Sequence, residues 1–226
     1  MSSTHFNFAE GEVLLIDKPE HWTSFDVVKK IRNLIKIKKI GHAGTLDPLA
    51  TGLLILCTGK KTKTINDFMG QEKEYTGEII LGQTTPSSDR ETAPEISGDY
   101  TNISEKEIFD TAASFTGHQQ QVPPIFSALK VGGERLYKKA RKGEDVKIEP
   151  REVYIEAFEI TAMNLPYVSF RIVCSKGTYI RSIARDFGEK LGCGGYLYNL
   201  RRTRIGDARI EEAYDLEQFI ELVRSA

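Results

Sequence analysis

The stretch Gly41-His42-Ala43-Gly44-Thr45-Leu46-Asp47-Pro48-Leu49-Ala50-Thr51-Gly52-Leu53 presents a single carboxylate, Asp47, between two segments of regular pattern. A carboxylate so placed can act as a nucleophile, forming and later breaking a covalent bond to substrate. Gly41, Gly44, Gly52 and Pro48 set the path of the loop, and loops carried on rigid scaffolds are where binding and catalysis concentrate. Composition alone leaves a plainer reading beside this one, in which Asp47 and Pro48 start a turn or cap the next element.

Other chemistries find less support. Cys57, Cys174 and Cys193 are odd in number and widely spaced, which predicts reduced structural thiols and neither a disulfide nor a zinc site. His5, His21, His42 and His118 share no ligand spacing with one another or with a cysteine pair, so no metal is expected. Gly59-Lys60-Lys61-Thr62 lacks the upstream glycine of a P-loop, and Gly192-Cys193-Gly194-Gly195 has Leu197 where a dinucleotide fingerprint needs glycine. No nucleotide cofactor is implied.

The elements that would position Asp47 are legible on both sides of it. Ser24 to about Lys36 has helical spacing, with Val27, Val28, Ile31, Leu34 and Ile35 on one face and Thr23 or Ser24 as N-cap. Leu53 to Cys57 is an unbroken apolar run that reads as a buried strand. Glu12 to Ile16 predicts a strand that Asp17-Lys18-Pro19 ends and turns. Further along, a helix is expected over about Lys60 to Met69, a strand over Glu72 to Leu81, and an exposed loop or short hairpin over Gly82 to Asn102. Helices follow over Ser104 to Phe115 and around Glu134 to Lys142, and Glu152 to Met163 with Tyr167 to Cys174 predicts an antiparallel hairpin. A helix over Tyr179 to Leu191, a strand over Tyr196 to Ile205 and a helix over Leu216 to Arg224 complete the pattern. Helices and strands mix without a regular βαβ beat. The expected class is therefore α+β, a mixed, largely antiparallel sheet with flanking helices in one domain over residues 1–226.

The formal net charge of -1 argues against a nucleic-acid ligand, yet the charges are segregated along the chain. Lys29, Lys30, Arg32, Lys36, Lys38 and Lys39 lead into the Asp47 loop, and Lys60, Lys61 and Lys63 follow it. Lys138, Lys139, Arg141 and Lys142 form a third cluster, and Arg201, Arg202 and Arg204 a fourth. A charge run is ordinarily a solvated face; two that bracket a candidate catalytic loop point to a polyanionic partner. Met1 to Asn7 has neither the basic start nor the apolar run of a signal peptide, and no segment approaches the roughly twenty apolar residues of a membrane span. A soluble, cytoplasmic protein without membrane association is expected.

Read in order, the Asp47 loop, Asp17-Lys18-Pro19, Lys73-Glu74-Tyr75, Ser127-Ala128-Leu129-Lys130, Cys174-Ser175-Lys176-Gly177-Thr178-Tyr179-Ile180-Arg181 and Leu200-Arg201-Arg202 resemble the TruB family of tRNA pseudouridine synthases. The resemblance runs over nearly the whole chain. It implies the pseudouridine synthase catalytic fold and isomerisation of uridine 55 in the T-loop of tRNA, with no cofactor, no metal and no obligate protein partner. It makes Asp47 the nucleophile. Glycoside hydrolases need a second carboxylate to activate water; with one acid, the base is retained and rejoined through its C5. Attack on the sugar and attack on the pyrimidine ring both stay open.

The resemblance also assigns the neighbours. Arg181 corresponds to the arginine that pairs with the catalytic aspartate, keeping it ionised and aimed. Tyr75 corresponds to the tyrosine that stacks on the target base and is a candidate to take the C5 proton. Tyr179 and Leu200 match positions lining the uracil pocket, and Lys18 one that braces it. His42 matches a histidine that serves RNA recognition beside the extruded nucleotide. Each keeps a plainer alternative: a surface arginine, a strand tyrosine, a core leucine, a histidine bonded within its own loop.

His21 stands where the family usually has glycine. Many members carry a C-terminal RNA-binding domain of the PUA type, which is not expected here, so binding falls to the basic clusters and to about residues 122–151, which match the family's mobile thumb insertion. Two rival functions remain, a synthase acting on another RNA and a non-catalytic RNA-binding or folding protein on the same scaffold. Asp47, Tyr75 and Arg181 together weigh against the latter, since a pure binder has no need of a buried ion pair.

Overall fold

A computed structural model describes residues 6–127, 129–144 and 146–225. His5, Ala128 of the Ser127 to Lys130 motif, and Asp145 within the expected thumb insertion lie outside the described residues. In chain order the elements are β1 (Val13–Lys18), α1 (Ser24–Ile35), β2 (Ile40–His42), β3 (Thr51–Thr58), α2 (Ile65–Gly70), β4 (Lys73–Leu81), β5 (Gln83–Thr84) and β6 (Glu95–Ile96). They continue with α3 (Glu105–Ala113), β7 (Gly117–Gln121), β8 (Lys130–Val131), β9 (Glu134–Arg135), α4 (Leu136–Arg141), β10 (Arg151–Asn164) and β11 (Tyr167–Cys174). The last are α5 (Ile180–Lys190), β12 (Gly195–Ile205), β13 (Ala208–Arg209), β14 (Tyr214–Asp215) and α6 (Leu216–Ser225). The fold is a mixed, largely antiparallel sheet with flanking helices, and the chain divides into two compact units, Met1–Tyr75 with Leu200–Ala226, and Thr76–Asn199.

In the first unit β1 pairs antiparallel with β3, from Val13 opposite Cys57 to Lys18 opposite Gly52, and parallel with β14. Strand β3 has a continuous apolar sequence because both its faces are covered. Leu54 and Leu56 join Val27, Val28 and Ile31 of α1 and Leu216, Phe219 and Ile220 of α6 in one core. Leu53, Ile55 and Cys57 point the other way, into a cluster with Ala43 and Ile205. Helix α1 begins where a capping box forms: the Thr23 side chain accepts from the Asp26 N–H, and the Asp26 carboxylate accepts from the Thr23 N–H.

In the second unit the strand order is β12–β4–β11–β10–β7. Strands β10 and β11 form the expected hairpin, from Ile155 opposite Cys174 to Asn164 opposite Tyr167. Phe115, Phe158, Phe170 and Phe187 meet edge-on or tilted and seat α3 and α5 against these strands. A second capping box, Ser104 with Glu107, starts α3.

Two expectations need correction, and one strand had no expectation. Residues Gly59–Thr64 form a 3-10 turn ahead of a short α2, because Thr62 and Thr64 bond back to the carbonyls three residues earlier. Strand β7, Gly117-His118-Gln119-Gln120-Gln121, has no apolar alternation to announce it, and its polar sequence fits an edge strand. Gly82 to Asn102 does contain the short β5–β6 hairpin, with Ile96 exposed, but Ser87, Ser88 and Asp89 are buried. Polar residues can be buried there because they bond one another: Thr85 Oγ1 and Ser87 Oγ both donate to the Asp89 carbonyl. All three cysteines are free and buried.

Candidate active site

The Asp47 loop is held at alternate carbonyls by side chains from outside it. The Gly44 carbonyl accepts from Arg202 Nη2 at 3.2 Å. Ser24 Oγ grips both backbone groups of Leu46, accepting from its N–H at 2.9 Å and donating to its carbonyl at 3.3 Å. The Pro48 carbonyl accepts from the His21 N–H at 2.8 Å and from Lys18 Nζ at 3.3 Å. Within the loop, the Ala50 N–H closes a turn on the Asp47 carbonyl at 3.1 Å. At Gly52, φ is +101° and a Cβ would sit 2.3 Å from the Arg202 carbonyl, so only glycine lets β3 and β12 approach there.

Lys18 is fully buried at the end of β1, and its ammonium also donates to the Pro19 and Trp22 carbonyls at 2.8 and 2.6 Å. Three N–H donors therefore meet three carbonyls. Burial pushes its pKa down to about 8, against the opposing pull of the Asp47 carboxylate. These contacts tie the turn after β1 to the Pro48 end of the Asp47 loop. Arg202 is 1% exposed, and its Nε also donates to the Leu53 carbonyl at 2.8 Å.

The remaining candidates in this unit are fixed on strands. Tyr75 is buried on β4. Its neighbours are anchored on both sides: buried Lys73 donates to the Met69 carbonyl at 2.8 Å, and Glu74 accepts from Thr203 Oγ1 at 2.8 Å. Leu200 is buried on β12, its carbonyl accepting from Thr51 Oγ1 at 3.4 Å. His42 ends β2, half-buried. Burial lowers its pKa, the Gly44 backbone opposes this, and the Arg202 cation adds to the lowering, so the ring is neutral at pH 7. Its Nδ1 is enclosed and makes no well-formed hydrogen bond among the described residues.

In the second unit Arg181 lies in the first turn of α5, 4% exposed. Nη1 donates to the Ser87 carbonyl at 3.1 Å, Nη2 to the Phe126 carbonyl at 2.9 Å, and Nε lies 3.6 Å from Asp89 Oδ2. A surface arginine is thereby excluded. Tyr179, the N-cap of α5, is clamped through its backbone by Gln121, whose Oε1 accepts at 2.8 Å and whose Nε2 donates at 3.1 Å. The Arg151 guanidinium stacks on the Tyr179 ring at 4.5 Å.

Sequence reasoning missed four of these groups. Ser24 was legible only as a cap candidate, and Gln121 and Asp89 lie in polar stretches with no local signal. Arg202 was grouped with a cluster suited to a polyanion, but Arg201 donates through both Nη atoms to Asp17, and Arg204 Nη1 meets Glu72 at 2.6 Å. Arg201 and Arg204 are thereby paired with carboxylates within the protein. In the expected thumb insertion, Lys142 pairs with Glu134 at 2.9 Å and Lys139 with Glu144 at 3.9 Å, while the side chains of Lys138 and Arg141 lie outside the described residues. No helix of the described residues is long and apolar enough to cross a membrane.

Comparison with known proteins gives this geometry its context. Residues 32–180 match the TruB family pseudouridylate synthase (N terminal domain), and residues 181–225 match the tRNA pseudouridylate synthase B C-terminal domain. The chain is 52% identical to tRNA pseudouridine synthase B of Flavobacterium johnsoniae over 221 residues, 95% of this chain and 96% of that one. It is 49% identical to the protein of the same name from Phocaeicola vulgatus, over 95% of this chain and 94% of that one. Among solved structures, a Cbf5-Nop10-Gar1 complex aligns with TM-score 0.73 and 28% identity, over 95% of this chain and 54% of that chain. An H/ACA RNP bound to a substrate RNA containing 2'-deoxyuridine aligns with TM-score 0.71 and 26% identity, over 95% of this chain and 53% of that chain. The chain thus spans little more than half the length of these two solved chains. On the domain matches and on relatives similar along almost their whole lengths, it belongs to the TruB family of pseudouridylate synthases, isomerases that act on tRNA.

Proposed function

We propose that this chain converts uridine 55 in the T-loop of tRNA to pseudouridine, in the cytoplasm, with Asp47 as the nucleophile. The observation that carries this reading is the fixation of the Asp47 loop through the Gly44, Leu46 and Pro48 backbone by Arg202, Ser24 and Lys18. A loop that only turned the chain would not need buried cations from two strands. A nucleophile does, because small misplacements of the attacking atom cost large factors in rate.

The reaction is an isomerisation, so every atom of the base is kept. The bond from the sugar C1' to N1 breaks while Asp47 holds one fragment covalently; the base turns; C5 bonds to C1', C5 loses its proton and N1 gains one. Tyr75 stacks on the base and is the candidate to receive the C5 proton. Arg181, fixed by Asp89 and the Ser87 and Phe126 carbonyls, supplies the counter-charge for the catalytic carboxylate. Tyr179 and Leu200 line the uracil pocket. His42, neutral and lacking a well-formed bond at Nδ1, suits contact with the displaced nucleotide.

The test is site-resolved mapping of pseudouridine in a T-stem-loop hairpin and in full tRNA after incubation with the purified chain. The account expects one new pseudouridine, at position 55, in both. A hairpin left inert while tRNA is converted would show that recognition extends beyond the T-stem-loop. Conversion of another RNA with tRNA untouched would overturn the substrate assignment.

A further inference from the structure

Resting on the reading that tRNA is the substrate, we infer that the solvent face of α1 is an RNA-docking surface, in which Phe25 stacks on an unpaired base and Lys29, Lys30 and Lys36 contact successive phosphates. Phe25 is 60% exposed on the first turn of the helix, where burial gives it no role. Lys29 and the C-cap Lys36 follow on the same side at i+4 and i+11, and Lys30, also exposed, lies about 100° further round the helix from Lys29. From Phe25 to Lys36 the stripe is about 16 Å long at 1.5 Å per residue.

The charge on this face is largely uncompensated. None of Lys29, Lys30, Lys36, Lys38 and Lys39 has an ion pair with a carboxylate among the described residues, whereas Lys60, Lys106, Lys142 and Lys147 each do. The one acid on the first turn, Asp26, is bonded into the Thr23 cap and offsets part of the Lys29 charge alone. An aromatic ring beside a row of open cations is the chemistry of single-stranded nucleic-acid grooves, where rings take bases and lysines track the backbone. A protein partner would need carboxylates arranged along the helix and a socket for the ring.

The placement also fits. Ser24, next to Phe25, bonds the N–H and carbonyl of Leu46, the residue before Asp47. Past the helix, Lys38 and Lys39 continue the exposed charge up to β2, which ends at His42. RNA seated on α1 is thereby led to the nucleophile loop.

The experiment measures tRNA affinity of the full chain across a series of NaCl concentrations, for the wild type, Phe25→Ala, Phe25→Trp and the triple variant Lys29→Gln, Lys30→Gln, Lys36→Gln, with the melting temperature of each recorded. Phe25→Ala should weaken binding by roughly 5- to 100-fold at every salt concentration without changing the log–log slope, and Phe25→Trp should restore it. The triple variant should make the slope shallower by about 2, at 0.7 to 0.9 per contact. A triple variant with the wild-type slope, or Phe25→Ala binding like the wild type, overturns the inference. If the wild type converts tRNA while the variants bind as it does, only this surface is wrong; if the wild type neither binds nor converts tRNA, the functional reading falls with it.

Discussion

Arg201, Arg202 and Arg204 on β12 are engaged by groups of the protein itself, by Asp17, by the Gly44 and Leu53 carbonyls and by Glu72, while Lys29 and Lys30 on α1 and Lys36 at its C-cap face solvent without an ion-paired carboxylate among the described residues. The difference separates two uses of cationic charge in one unit. The buried Arg202 guanidinium spends its hydrogen bonds on backbone oxygens and makes a loop rigid; an exterior ammonium keeps its charge available for phosphate. The two should respond to mutation in opposite ways, one through stability and rate, the other through the salt dependence of binding.

The largest effect is expected from Arg202→Met. It leaves the Gly44 and Leu53 carbonyls without their donor, and should cost roughly 2 to 4 kcal/mol in urea unfolding. It should also lower single-turnover rate at saturating RNA by tenfold or more, with the salt slope of binding unchanged. A flattened slope with wild-type stability would move Arg202 into the recognition set and erase the contrast.

Next in size is a pH effect at Lys18. The folded pKa is near 8 and the ordinary value is 10.5, so between them the unfolded chain binds more protons, and this group's contribution to stability rises with pH across that window. Activity should move the other way, because a neutral amine has two N–H donors for three carbonyls. The expected result is a decline in kcat with an apparent pKa of about 8 while the unfolding free energy does not fall. A flat kcat through pH 9 would show that the Lys18 charge does not hold the loop.

The basic cluster around α4 should fall between the two extremes. Lys139 and Lys142 have carboxylates nearby, so Lys139→Gln with Lys142→Gln should make the salt slope of tRNA binding shallower by less per residue than the change at α1. A larger change than at α1 would reverse the ranking of the two surfaces. The smallest effect is expected at His21, which holds φ at +67°, the left-handed region that glycine favours, while its N–H supports Pro48. His21→Gly relieves strain but adds freedom to the unfolded chain, so stability should change by less than about 1 kcal/mol, with kcat intact. A large loss would give the imidazole a role of its own.

How much of this was legible in the sequence depended on the range of the signal. Helix α1, the buried β3 and the β10–β11 hairpin follow from local periodicity and turn residues, and appear within a residue or two of the expected bounds. The glycine departure at His21 was also readable, and the backbone kept the conformation that glycine would have supplied. Strand β7 was not, because an edge strand of Gln and His carries no pattern. The clamp on the Asp47 loop was legible only in part. Lys18 was expected to brace, but Arg202 acts 158 residues from Gly44, and Asp89 sits in a polar stretch whose burial depends on Arg181. Charge clusters in a sequence do not reveal which members face inward, and that is decided by what the β12 register places next to β3.

The most direct measurement of the central claim is pseudouridine mapping at tRNA position 55 in a strain lacking this protein, complemented with the wild type or with Asp47→Asn, alongside tRNA affinity of the two purified proteins. The account predicts that the wild type restores the modification, that Asp47→Asn does not, and that the two affinities agree within a few-fold, since RNA is held mainly through phosphate contacts and not by the nucleophile. Full modification by Asp47→Asn, with deamidation excluded by mass spectrometry, would contradict it.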